Sequence, residues 1–277
     1  MTLSERNTFF KMGIALCSIC ALIAAAASFL VIPIFSGVME ESSRRPVSIF
    51  QLLTGFFMGN DSYAVYVSLA ASVLYSLISI IIIYLFFERT SSPEILYIAI
   101  FTISFALEAV RLILPLQHIF YFSFFYVSLA SKVLLFIRFF SIFSLFTAGL
   151  CAAGLEVQKT RNVIFVMIIA ALVITMGVPI DSSNWDTSLN IVNSYNSMFS
   201  LVEAAAFITT MISFFIAAKI RGTREYVNIA LGVMLALAGR GFIINVDNWT
   251  GPILGIILLS TGTFILCSKL HKIHLWL

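Results

Sequence analysis

The chain has 277 residues, 61% of them hydrophobic and only 10% charged, with a formal net charge of +3 and a mean hydropathy of +1.06. Soluble domains carry about 25% charged residues, so this composition excludes a soluble globular fold. The small positive excess comes from Lys and Arg at the ends of apolar runs, so it speaks to membrane topology and not to nucleic acid.

A hydrocarbon core about 30 Å thick needs about 20 apolar residues per helix, and the chain supplies such segments almost end to end. The expected fold is therefore all-α: one polytopic membrane domain over 1–277, a bundle of about eight transmembrane helices. The first span covers 9–38. Its basic start (Arg6, Lys11) and the small residues Ala24 to Ser28 imitate a signal peptide. The apolar run continues through Phe29, Leu30, Val31 and Ile32, which points to a retained span.

Residues 39–62 form the longest polar connection, with Glu40, Glu41, Arg44 and Arg45. Inside it the apolar patch Ile49 to Met58 is too short to cross and is expected at the interface. Further spans follow at 63–87 and 95–116, joined by the turn Glu88 to Glu94. An aromatic segment from Gln117 through His118 to Tyr126 resembles an interfacial belt and leads into the span 126–153. Beyond the polar loop Glu156 to Asn162 comes 163–180, then a Ser- and Asn-rich loop from Asp181 to Met198 containing Trp185. The last three spans are 199–220, 226–246 and 252–270. They hold Ala204 to Ala206, Gly232, Ala236, Gly239, Gly241, Gly251 and Gly255, small residues that let membrane helices approach closely.

Lys and Arg divide unevenly between alternate loops. One side holds Arg6, Lys11, Arg89, Lys159, Arg161, Lys219, Arg221, Arg224, Lys269 and Lys272. The other holds only Arg44 and Arg45 beside Glu40, Glu41, Asp61, Asp181, Asp186 and Asp247. The positive-inside rule then places both termini in the cytoplasm, with an even number of spans in the cell (inner) membrane.

Six charged residues lie well inside the spans, away from their ends: Glu108, Arg111, Lys132, Arg138, Glu203 and Arg240. At about 1.5 Å per residue they converge in depth on the outward half of the bilayer. Charges at such depth cost roughly 3 kcal/mol each even on the lenient insertion scale, so they face a bundle interior or a wet cavity and find partners. Glu108 and Arg111 share a helix face. Four bases against two acids leave an excess of positive charge that favours an anionic ligand or lipid headgroup. The alternative is a closed network: Glu108 with Arg111 or Lys132, Glu203 with Arg240, and Arg138 on backbone carbonyls or snorkelling.

No G-x-S-x-G, H-E-x-x-H or phosphate-loop pattern occurs, so the sequence supports neither an enzyme nor a cofactor. Cys17-x-x-Cys20 sits on an apolar helix and reads as structural, and His271 with His274 is a weak metal signal. Asn60-Asp61-Ser62 and Asn248-Trp249-Thr250 match the glycosylation sequon.

From Phe56 onward, over about 220 residues, the layout resembles the seven-helix membrane module of bacterial receptors with diverse intracellular signalling domains. The residues carrying the likeness are Tyr84-Leu85-Phe86-Phe87-Glu88-Arg89, then Ser91-Ser92-Pro93-Glu94-Ile95-Leu96-Tyr97, and the basic turn Lys219 to Tyr226. Members usually carry an extracytoplasmic β domain before the module and an output domain after it. Here one helix and a short loop precede it, and His271 to Leu277 end it. The resemblance thus implies a stripped sensor, or a subunit that signals through a cytoplasmic or membrane partner. The expected role is a receptor-like or accessory subunit that binds a small anionic ligand or lipid headgroup. A transporter, or the membrane subunit of a transport complex, is the alternative, and a lipid-modifying enzyme a third reading.

Overall fold

A computed structural model describes residues 3–39, 62–88, 90, 92–121, 123–154, 160–178, 180–185, 189, 191–193, 196–222, 225–246 and 248–275. The patch Ile49 to Met58 and the sequon at Asn60 lie outside these residues. The described helices are α1 (Leu3–Met39), α2 (Ser62–Phe87), α3 (Glu94–Leu107), α4 (Ile113–Phe120), α5 (Phe124–Ala152), α6 (Thr160–Met176), α7 (Asn196–Arg221), α8 (Glu225–Ile244) and α9 (Thr250–Leu275). A 3₁₀ segment, Glu108–Leu112, joins α3 to α4 as one continuous span. Among the described residues, seven helical spans are long and apolar enough to cross a membrane, and α6 is a shorter apolar helix. The chain is therefore a multi-pass membrane protein.

Pairwise contacts give the directions. Along α1, Arg6 meets the end of α2 at Phe87 and Glu88, Cys17 Sγ lies 3.2 Å from Ser76 Oγ, and Ala24 and Ala27 pack with Tyr66 and Leu69. These two helices are antiparallel. The α3 helix is the axis of the bundle: 89% of its span is buried inside the protein. It runs against α5, with Tyr97 beside Cys151 and Glu108 bonded to Arg138. By contrast α5 and α7 run parallel. Arg240 touches both Arg138 and Glu203 in their N-terminal halves, while Gly149 packs on Ser213 and Phe214 further along.

The start of α1 and the end of α9 lie at the same end of the bundle. Arg6 donates to Phe87, Glu88 and Thr90 carbonyls, and the His271 ring sits 5.5 Å from the Phe87 ring. That end also holds Arg221 against Glu94 and Lys269 and Lys272, each 2.9 Å from Glu225.

Three local expectations change. The first helix begins at Leu3 rather than at residue 9, because Arg6 is held by carbonyls at the C-terminus of α2, where helical partners run out. The span expected to end at residue 116 runs on into the aromatic stretch. The α4 helix continues to Phe120, Tyr121 caps it in a left-handed conformation (φ 51°), and Ser123 caps α5. The loop Asp181 to Met198 folds in part as an antiparallel hairpin, β1 (Ile180–Trp185) with β2 (Ile191–Asn193).

The tight packing expected of the last three spans is concentrated between α8 and α9. A Cβ on Gly239 would stand 2.6 Å from Leu259 N and 2.8 Å from Gly255 O, whereas one on Gly241 would meet nothing within 4 Å. Gly239→Ala should therefore push the two helices apart, at a cost of about 1–3 kcal/mol. Gly241→Ala should leave stability unchanged or slightly raised. Thermal unfolding of the two variants in detergent, compared with wild type, checks the contrast.

Candidate functional site

The span Glu94–Gln117 changes pitch where its charges lie. Glu108–Leu112 is 3₁₀, between two α-helical stretches. Pro115 explains the position: its ring has no N–H to offer and crowds the carbonyl four residues back, that of Arg111. In a 3₁₀ helix residues three apart eclipse one another. Glu108 and Arg111 thus stack directly, with Arg111 Nε 3.0 Å from Glu108 Oε2.

Five of the six expected residues meet. Arg138, from α5, holds Glu108 with two bonds, Nε to Oε1 and Nη2 to Oε2, both 3.2 Å. Arg111 Nη2 donates to the Ile244 carbonyl at the end of α8 (2.7 Å). Arg240, from α8, donates to the Arg138 carbonyl and to Glu203 Oε1 of α7, both at 3.3 Å. Four membrane spans are therefore tied at one depth. The group is desolvated at its centre, with the Arg111 and Glu108 side chains 1% and 6% exposed, and opens towards Glu203, 40% exposed.

Lys132 does not join. It lies six residues before Arg138, about 9 Å away along the axis and on a different face of α5, and it makes no ion pair or hydrogen bond among the described residues. Without it, the cluster among the described residues holds three guanidiniums and two carboxylates. Arg138 neither snorkels nor rests on carbonyls alone. It shares Glu108 with Arg111, because the 3₁₀ turn presents that carboxylate towards α5.

Beside the shared carboxylate lies a cleft of about 30 Å³, walled by Arg111 and Arg138. Among the described residues that line it, Ser131 is the third polar one and the other seven are aliphatic. One of them, Leu189, comes from between the hairpin strands and holds φ 54°, a left-handed conformation uncommon outside glycine.

A second charged group at the opposite end of the same four spans escaped sequence reasoning. Glu94 is fully buried. It accepts from Ser92 Oγ at 2.9 Å, and Arg221 Nη2 stands 3.8 Å away while its guanidinium covers the Tyr226 ring at 5.3 Å. The legible signal was Ser92-Pro93-Glu94, a helix start with proline and an acid in its first turn. Between the two groups the core is apolar, with Phe101, Phe105, Leu145, Phe214 and Val233 in one cluster. The buried hydroxyls of Ser141, Ser144, Thr147, Thr210 and Ser213 all donate to carbonyls of their own helices.

Among the described residues no three His, Cys, Asp or Glu come together as a metal site. Cys17 and Cys20 are free thiols. No protein-family model, curated protein or solved structure matches the chain.

Removing one partner of a buried ion pair costs about 3–5 kcal/mol, and an exposed pair is worth about 0–1 kcal/mol. Glu108→Gln should therefore lower the melting temperature strongly, because Arg111 and Arg138 lose the carboxylate they share. Glu203→Gln should change it little. Parallel melts in the same detergent check the difference.

Proposed function

We propose that the protein is a receptor-like or accessory subunit of the cell (inner) membrane whose charged cluster binds a small anionic group. One observation carries the reading: Arg111 and Arg138 both bond the carboxylate of Glu108 and wall a cleft beside it. Guanidiniums at the wall of a cleft in a medium of low dielectric favour an incoming anion. The resemblance to the membrane module of bacterial receptors supports a sensing role exercised through a cytoplasmic or membrane signalling partner.

Eight crossings with both termini cytoplasmic fit this reading. The parallel run of α5 and α7 requires the chain to return between them, and α6 is the helix available to do so. At about 1.5 Å per residue its 17 residues reach about 25 Å, a few ångströms short of the hydrocarbon thickness. The cytoplasmic assignment draws on Arg6, Arg221, Lys269 and Lys272, which gather at the end shared by α1 and α9.

Transport is the runner-up. In its favour, the ion pair of Glu94 and Arg221 closes the opposite end of the same four spans. Against it, the layer between the two charged groups is largely apolar, and the serine and threonine hydroxyls of α5 and α7 there are committed to their own helices.

The experiment uses the full chain in proteoliposomes, with acetate, inorganic phosphate and palmitate as probes. A receptor binds one of these anions without accumulating it inside. Arg240→Ala should weaken binding at least tenfold with expression near wild type, and Lys132→Ala should leave affinity within about twofold. Accumulation of the anion would establish transport instead. If no probe binds, or if Arg240→Ala only unfolds the protein, the cluster is a structural clamp.

A further inference from the structure

One wall of the cleft beside Glu108 is built differently from the others. Among the described residues that line it, Leu189 alone comes from outside a membrane span, and the rest belong to the span Glu94–Gln117 and to α5. Those two spans are fixed against each other, since Glu108 on one holds Arg138 on the other and the backbone of a membrane helix is bonded within the helix. Leu189 stands between β1 and β2, and β1 lies against α5. A two-stranded hairpin is marginal by itself, so its position depends on the bundle it rests on.

Leu189 packs against three separate clusters: that of α1 with α2, that of α2 with the end of α8, and that of α4 with α5. It thus sits where several spans come together at the Glu108 end of the bundle. Yet the leucine is only half-buried and holds φ 54°. A bulky residue adopts that left-handed conformation at a cost, which persists only where the surroundings impose it. Apolar contact and backbone strain therefore oppose each other at one residue. A contact of this kind can be released locally while the ion pairs between the spans stay made.

We infer that Leu189 is the latch of a gate: seated, it seals the cleft walled by Arg111, Ser131 and Arg138 from the water at that end of the bundle, and its lifting opens the cleft. A solute from water reaches the cleft while the leucine is out and is covered when it returns. The latch requires the cleft and nothing that fills it, so its failure and the failure of the anion-binding reading are separate results.

The test places a thiol in the cleft. The full chain carrying Ala130→Cys, in phosphatidylcholine nanodiscs with both faces open to solution, is treated with a charged, lipid-impermeant methanethiosulfonate. The unsubstituted chain gives the background of the native thiols, and Cys151, buried at the other end of the bundle, reports any general loosening. Modification of a transiently opened site follows the population of the open form, so Ala130→Cys should react slowly with Leu189 in place and about tenfold faster once Leu189→Asn is added. Asparagine tolerates the left-handed backbone and keeps the turn, but its amide cannot rest among apolar clusters without a partner. If Leu189→Asn melts early, Leu189→Ala takes its place under the same criterion, and Ser131→Cys replaces Ala130→Cys if that variant does not fold. Equal rates with and without Leu189, whether fast or slow, would overturn the gate. Modification of Cys151 in the double variant, or early melting of both Leu189 variants, would overturn it too and make Leu189 a pin that holds the bundle together.

Discussion

The arrangement of the bundle turns on one carboxylate. Glu108 is 6% exposed and carries two guanidiniums, Arg111 from its own helix and Arg138 from α5. In hydrocarbon none of these groups can be left without a partner, so their positions constrain the helices that bear them. Arg111 also reaches the end of α8 through the Ile244 carbonyl. Arg240 returns from α8 to the Arg138 carbonyl and passes the connection to α7 through Glu203. Moving any of the four spans along its axis would break at least one of these bonds.

Two kinds of force hold α8, and adjacent residues divide them. Gly239 lets α9 approach to backbone contact, which favours dispersion between helices where no hydrophobic effect operates. Arg240, one position on and about 100° around the helix, points to α5 and α7. The small residue fixes one neighbour by shape and the arginine fixes two others by charge. Glycine and arginine side by side in a membrane helix are thus parts of one packing solution.

The two charged groups sit at opposite ends of the same spans, about 20 Å apart along α3, with an apolar core between them. Among the described residues, a cleft lies beside the group at Glu108. The group at Glu94 pairs one acid with one arginine and accepts a bond from its own helix start. Equal membership from the same helices therefore does not make the two ends equivalent. The cleft beside Glu108 separates them.

The amino-acid sequence alone determined that the chain is a multi-pass helical membrane protein, where most of its spans lie, and that charged residues of four spans fall at similar levels along them. All of these follow from apolar length and rise per residue, which are local properties. The same reading found the small-residue faces of the last helices and the Glu108–Arg111 pair. It did not find the partner of Arg138, the exclusion of Lys132, the burial of Glu94 or the hairpin between α6 and α7. Those depend on direction around each helix axis and on which helix stands beside which. Hydropathy averages over a turn and carries no such information. Only the tertiary structure decided that two arginines share one acid, because a carboxylate chooses among cations by distance across helices, and the chain order does not encode that distance.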